Sequence, residues 1–286
     1  MSPFIYYSPE FSIPAFAFSL MLASLLATAV AYKMAPRRGL SQVAVLDLAI
    51  IGTIMAVIGG RLFHVVVEEW AYYMQNPTHI YQIWRGGFVS YGAFIGLGTG
   101  WIVYLKWRKL DILRYLDHLC LYSGPFIILM VRLGCLLAGC CFGKPSPFDK
   151  FEYVLFIVFN NRASDAGHFH LGERLWPTQI WAMAYSMIIF LICYWTESRN
   201  KFKGQVTLTF LITYAIFRFG LEFFRGDEAR GVYFSNTIST AQITGLIVII
   251  VCAILWFILK KKFPLAEPYP RIKPGKKAPA QTGHDQ

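Results

Sequence analysis

Seven apolar runs of about 20 residues each constrain this chain more than any other feature. A bilayer core of ~30 Å is crossed by roughly 20 apolar residues in helix. The runs fall at about 12–32, 43–67, 88–105, 115–141, 176–195, 204–224 and 239–259. Lipid offers no partner to open backbone groups, so a spanning segment is a helix or part of a closed barrel. Barrel strands read as ten-residue alternating segments. These runs are continuous, which predicts an all-α, polytopic integral membrane protein with seven transmembrane helices. Only 15% of the chain is charged and 56% is hydrophobic. That balance excludes a disordered chain, and a nucleic-acid binder carries its basic residues on a polar domain, which this chain lacks. Six cysteines in 286 residues are too sparse for a disulfide-stapled module.

The net charge of +11 resolves into an orientation. Loops 33–42, 106–114 and 196–203, with the tail from 260, hold 17 Lys/Arg against 4 Asp/Glu. The opposite ends, 1–11, 68–87, 142–175 and 225–238, hold 7 against 9. The positive-inside rule places the first set in the cytoplasm, giving an N-terminus outside and a C-terminus inside. Residues 1–260 then form one transmembrane domain, and 261–286 a basic, disordered cytoplasmic tail. The long outer loop 142–175 has room for a small folded element.

Ionisable groups inside spans are costly and usually mark function. Arg132 lies about nine residues inside the end of its span, in a stretch rich in Gly and Cys. Arg218 and Glu222 are spaced i, i+4 and share a helix face, and Arg225 follows Arg218 at i+7. Arg61 follows Gly59-Gly60. All four arginines fall in the outer half of their spans or just beyond. Guanidinium forks converging at one depth make an anion site suited to phosphate. The plainer alternatives are a structural Arg218–Glu222 ion pair and an Arg61 that snorkels to the interface. Cys135-x4-Cys140-Cys141 lacks paired C-x2-C spacing, which favours packing over metal binding. No metal and no cofactor are expected. Asp47 and Asp117, toward the inner side, leave a transporter reading open.

Several pieces, in order, resemble the bacterial prolipoprotein diacylglyceryl transferase family. They are Gly59-Gly60-Arg61-Leu62-Phe63, Trp84 through Gly92, Arg132-Leu133-Gly134 through Gly143, Pro177-Thr178-Gln179, Phe217 through Arg225, and Ala241-Gln242. The resemblance implies a seven-span enzyme of the bacterial cytoplasmic (inner) membrane. It would move the diacylglyceryl group of phosphatidylglycerol to the lipobox cysteine thiol of a prolipoprotein, as a step of lipoprotein maturation. The implied partners are phosphatidylglycerol, membrane lipid and the prolipoprotein signal-peptide region, with no nucleic acid. Carried over by position, Arg218, Arg132, Tyr91 and Glu222 are the catalytic candidates. Arg132, Arg61, Arg225, Gly143 and Gln179 are the head-group candidates. Tyr91 stands where the family has a histidine, Cys135 where it has an asparagine, Cys140 a glutamate, and Phe18 a tyrosine. A non-catalytic or differently specific lipid-binding paralogue is the alternative these departures leave.

Overall fold

The computed structural model describes residues 3–8, 12–82, 86–227, 232–233, 238–266 and 269. It is mostly helical and divides into two compact units. One unit comprises Met1–Met34 with Leu116–Arg271, the other Ala35–Tyr115 with Ile272–Gln286. The tail expected from 261 lies, from 270 onward, outside the described residues. Its beginning is held in place: Leu265 N–H donates to the Lys201 carbonyl at 2.8 Å, and Pro264 bridges Phe202.

Helices occupy all seven apolar runs. They are α1 (Ala15–Met34), α2 (Gln42–Phe63), α4 (Ser90–Trp107), the pair α5 (Ile112–Tyr122) and α6 (Gly124–Ala138), α8 (Thr178–Ser198), α9 (Gln205–Glu222) and α10 (Thr240–Lys262), with short helices α3 (Trp70–Gln75) and α7 (Asp165–Phe169) between them. Among the described residues, five segments are long and apolar enough to cross a membrane: Ala15–Met34, Gln42–Glu68, Ile112–Ala138, Thr178–Ser198 and Thr240–Lys262. The expected count of seven is therefore met only in part, because α4 and α9, at 18 residues each, are less apolar. The fourth run is not one smooth helix. Gly124-Pro125 opens α6, and the proline, with no N–H to donate, sits in the first turn where that loss is harmless. Among the described residues, three two-stranded antiparallel ladders interrupt the all-α expectation: β1 (Phe4–Tyr7) with β2 (Ser12–Pro14), β3 (Ile157–Val158) with β4 (Arg174–Leu175), and β5 (Val232–Tyr233) with β6 (Ile238–Ser239).

In the first unit, α1 packs on α6, α6 on α8, α8 on α9 and α9 on α10. The buried face of α1 is a ladder of five small side chains spaced four residues apart, Ala15, Ser19, Ala23, Ala27 and Ala31. Helices in lipid gain from close backbone approach rather than from hydrophobic burial, and small residues permit it. Gly134 of α6 meets that ladder, where an added Cβ would lie 2.8 Å from Ser19 Cβ. The loop after α6 has its own apolar core, in which Phe142, Ile157, Phe159, Ala166 and Leu175 pack with Leu136. Asp117 is 1% exposed. It accepts from the Gly204 and Thr207 N–H groups and the Thr207 hydroxyl, all at 2.8 Å, and so caps the start of α9.

In the second unit, α2 packs on α4 through glycines. A Cβ at Gly59 would lie 2.3 Å from the Gly92 carbonyl oxygen, and one at Gly96 2.1 Å from that of Met55. Gly59→Ala should therefore push the two helices apart and cost about 1–3 kcal/mol. Gly98, in the same helix as Gly96, has nothing within 4 Å of a Cβ. Gly98→Ala is expected to be neutral, and thermal unfolding in detergent compares the two.

Candidate active site

In the first unit, the C-terminal end of α6, the loop that follows it, the start of α8 and the end of α9 bring charged and polar groups together. Helix α6 ends at Gly139, whose φ of 73° is the left-handed cap conformation that favours glycine. Cys141 also adopts a left-handed φ, 56°, at a cost of about 1–2 kcal/mol for a residue with a Cβ. The fold holds this turn from α8. Gln179 donates its amide N–H to the Cys140 carbonyl, and Thr178 its hydroxyl to the Cys141 carbonyl, each at 2.8 Å.

The loop then pairs with the segment after α9. Gly143 forms an antiparallel bridge with Arg225. On either side, Lys144 N–H donates to the Phe224 carbonyl at 2.8 Å, and Gly226 N–H to the Phe142 carbonyl at 3.0 Å. Gly143 has no room for a side chain, since a Cβ would stand 2.3 Å from the Trp176 carbonyl oxygen.

Three arginines serve this region. Arg218 and Glu222 form the i, i+4 ion pair that their spacing predicts. Glu222 is 2% exposed, and Arg225 approaches its carboxylate at 3.6 Å. Arg225 also forks onto Asp227, with Nε 2.8 Å from Oδ1 and an NH2 bond to Oδ2. Burial works against the Arg225 charge, but Asp227, Cys141 and Glu222 together hold the guanidinium more firmly protonated than usual. Arg132 differs from both. Among the described residues it makes no hydrogen bond or ion pair to a carboxylate. Its charge instead meets the Cys141 and Cys135 thiols and the Tyr214 and Tyr185 hydroxyls. The Tyr185 hydroxyl lies in the field of all three arginines. It is buried and has no hydrogen-bond partner among the described residues. The arrangement is a cluster of three guanidinium groups and two carboxylates, with one guanidinium free of carboxylates and the Tyr185 hydroxyl in the field of all three.

Two expected site residues, Arg61 and Tyr91, belong to the second unit. Arg61 lies in the second unit and is 5% exposed. It neither snorkels nor presents a free fork. Its Nε donates to Ile80 O at 3.0 Å, NH1 to Gly86 O at 2.5 Å and Gly87 O at 3.3 Å, and NH2 to His79 O at 2.7 Å and Gln82 O at 3.5 Å. The guanidinium also lies over the Tyr73 ring. With all its N–H groups given to carbonyls, Arg61 clamps the backbone at His79, Ile80, Gln82, Gly86 and Gly87. Arg61→Ala should leave these carbonyls unpaired at about 1–3 kcal/mol, and the backbone at 79–82 should become sensitive to limited proteolysis. Gln179, 1% exposed, gives its amide N–H to the Cys140 carbonyl. Tyr91 stands exposed on the first turn of α4, in the second unit.

The sequence reading missed Tyr185, Tyr214 and Asp227. Tyr185 shares a buried α8 face with Thr178, Gln179 and Ser186. That polar face inside an apolar run was the available signal.

A family model described as prolipoprotein diacylglyceryl transferase matches residues 3–258. The chain is 30% identical over 254 residues to phosphatidylglycerol–prolipoprotein diacylglyceryl transferase 2 of Clostridium perfringens, covering 87% of this chain and 92% of that protein. It is 29% identical over 251 residues to the phosphatidylglycerol–prolipoprotein diacylglyceryl transferase of Clostridium tetani, covering 88% and 95%. The enzyme of the same name from Acinetobacter baumannii strain SDF is 26% identical over 248 residues, covering 85% and 87%.

Proposed function

The chain belongs to the prolipoprotein diacylglyceryl transferase family, and from that premise we propose that it transfers the diacylglyceryl group of phosphatidylglycerol to the lipobox cysteine of prolipoproteins. The observation that carries this reading is the grouping of Arg132, Arg218 and Arg225 about the Tyr185 hydroxyl. A lipobox thiolate attacks the glyceryl carbon that bears the phosphate ester. The C–S bond forms, the C–O bond breaks, and glycerol phosphate leaves with the bonding electron pair on its oxygen. Negative charge grows on that phosphate oxygen in the transition state, so donors already aimed there lower the barrier. Arg132, without a carboxylate of its own, supplies the fork for the phosphate. Arg218, set by Glu222, is the second donor. Arg225 and Gly143 keep the loop and the end of α9 in register.

The same reading places the protein in the bacterial cytoplasmic membrane, N-terminus out and C-terminus in. Helices α4 and α9 complete seven spans, and the arginine cluster lies on the outer side. The basic loops at 33–42, 106–114 and 196–203 support that orientation. Complementation tests the function. A bacterial strain depleted of its own transferase should regain growth and lipoprotein processing when this chain is expressed. Membrane-inserted protein that gives no rescue favours the lipid-binding paralogue, the reading motivated by Tyr91, Cys135 and Cys140.

A further inference from the structure

The three cysteines that spacing assigns to packing meet at one point. The Sγ atoms of Cys135, Cys140 and Cys141 all lie within 4.8 Å of one another. The left-handed turn at Gly139 and Cys141 folds the chain back, so sulfurs at i, i+5 and i+6 face each other. Thr178 and Gln179 fix the carbonyls of that turn from α8. Three thiolates around one tetrahedral zinc at ~2.3 Å stand about 3.8 Å apart, within a small adjustment of this arrangement.

We propose that Cys135, Cys140 and Cys141 hold a zinc ion whose fourth position receives an incoming thiol. Cys135 is buried, while Cys140 and Cys141 are only partly so, which leaves one side of the cluster open. Three thiolates and a divalent ion carry a net charge of −1, and Arg132 and Arg225 supply the balancing positive field at Cys141. An open fourth position is the mark of a reactive rather than a structural zinc site. Coordination deprotonates a thiol outright. The proton passes to water, and the bound sulfur keeps the electron pair that forms the new C–S bond. Zinc undergoes no redox change. That the incoming thiol is a lipobox cysteine rests on the transferase reading; the metal site does not.

The test uses the full-length protein in detergent, reduced with a phosphine and stripped of metal. Cobalt(II) is the probe. Stoichiometric binding with a thiolate-to-metal charge-transfer band, bleached by zinc, is the expected result. Cys140→Ser and Cys141→Ser should each weaken cobalt binding by more than about 100-fold, beyond the effect of losing a mere supporting residue. Cys193→Ser, which alters a buried cysteine outside the cluster, should not. No charge-transfer band, a band that survives in both variants, or a disulfide within the 135–141 peptide of protein purified without reductant each overturns the site. Diacylglyceryl transfer is then compared between zinc-loaded and stripped protein. Equal transfer overturns the thiol-activating role. A cobalt site with no transfer in either state removes the transferase reading and leaves the metal site standing.

Discussion

Arg218→Ala is expected to lower diacylglyceryl transfer by at least about 10²–10³-fold, the usual loss when one donor to a developing anion is removed. The side chain is paired with Glu222, which is 2% exposed, so its guanidinium is held in place before any lipid arrives. Removing it leaves Arg225 3.6 Å from that carboxylate. Arg225 is already forked onto Asp227, so it is poorly placed to substitute. Arg218→Lys separates charge from geometry. A lysine keeps the pairing with Glu222 but presents a point charge in place of a planar fork. Its activity should fall between wild type and Arg218→Ala. Both variants must be shown to insert and to unfold at temperatures near the wild type. Full activity in Arg218→Ala, with that control satisfied, would remove Arg218 from the transition state.

The second large effect is expected at a residue with no side chain. Gly143→Ala places a Cβ 2.3 Å from the Trp176 carbonyl oxygen, which no relaxation of a flexible side chain relieves, because the obstacle is backbone. The loop has to move away from α8. That movement breaks the bridge between Gly143 and Arg225 and the flanking Lys144–Phe224 and Gly226–Phe142 bonds. Arg225 then loses its register relative to Glu222 and Asp227. A stability loss of about 1–3 kcal/mol is expected from the overpacking alone. Activity should fall further than that loss explains, since the cluster itself is distorted. Gly172→Ala is the control, as nothing stands within 4 Å of a Cβ there, although its φ of 74° adds strain. Thermal unfolding and transfer measured on the same preparations separate the two contributions.

The helices were legible because an apolar run of about 20 residues has few other fates. The run read at 176–195 is helix Thr178–Ser198, and that at 239–259 is Thr240–Lys262. The Arg218–Glu222 pair was legible for a similar reason, since i, i+4 contact is local. What was not legible is set by contacts distant in the chain. Arg61 was read from its span position alone, yet its partners are carbonyls between His79 and Gly87, 18 to 26 residues away. The thiol cluster was read from spacing, and spacing does not reveal that Gly139 and Cys141 turn the chain back on α6. Tyr185 was one aromatic among many in an apolar helix. Its place beside three arginines follows from α8 packing on both α6 and α9.

The central claim is that an arginine cluster in this chain carries a lipid-to-thiol transfer. The most direct measurement is mass spectrometry of a lipobox-containing prolipoprotein peptide after incubation with the purified protein and phosphatidylglycerol. The account predicts a gain of one diacylglyceryl group on the cysteine, with glycerol phosphate released in equal amount, and neither product from Arg218→Ala. An unmodified peptide after incubation with folded, membrane-reconstituted protein would contradict it.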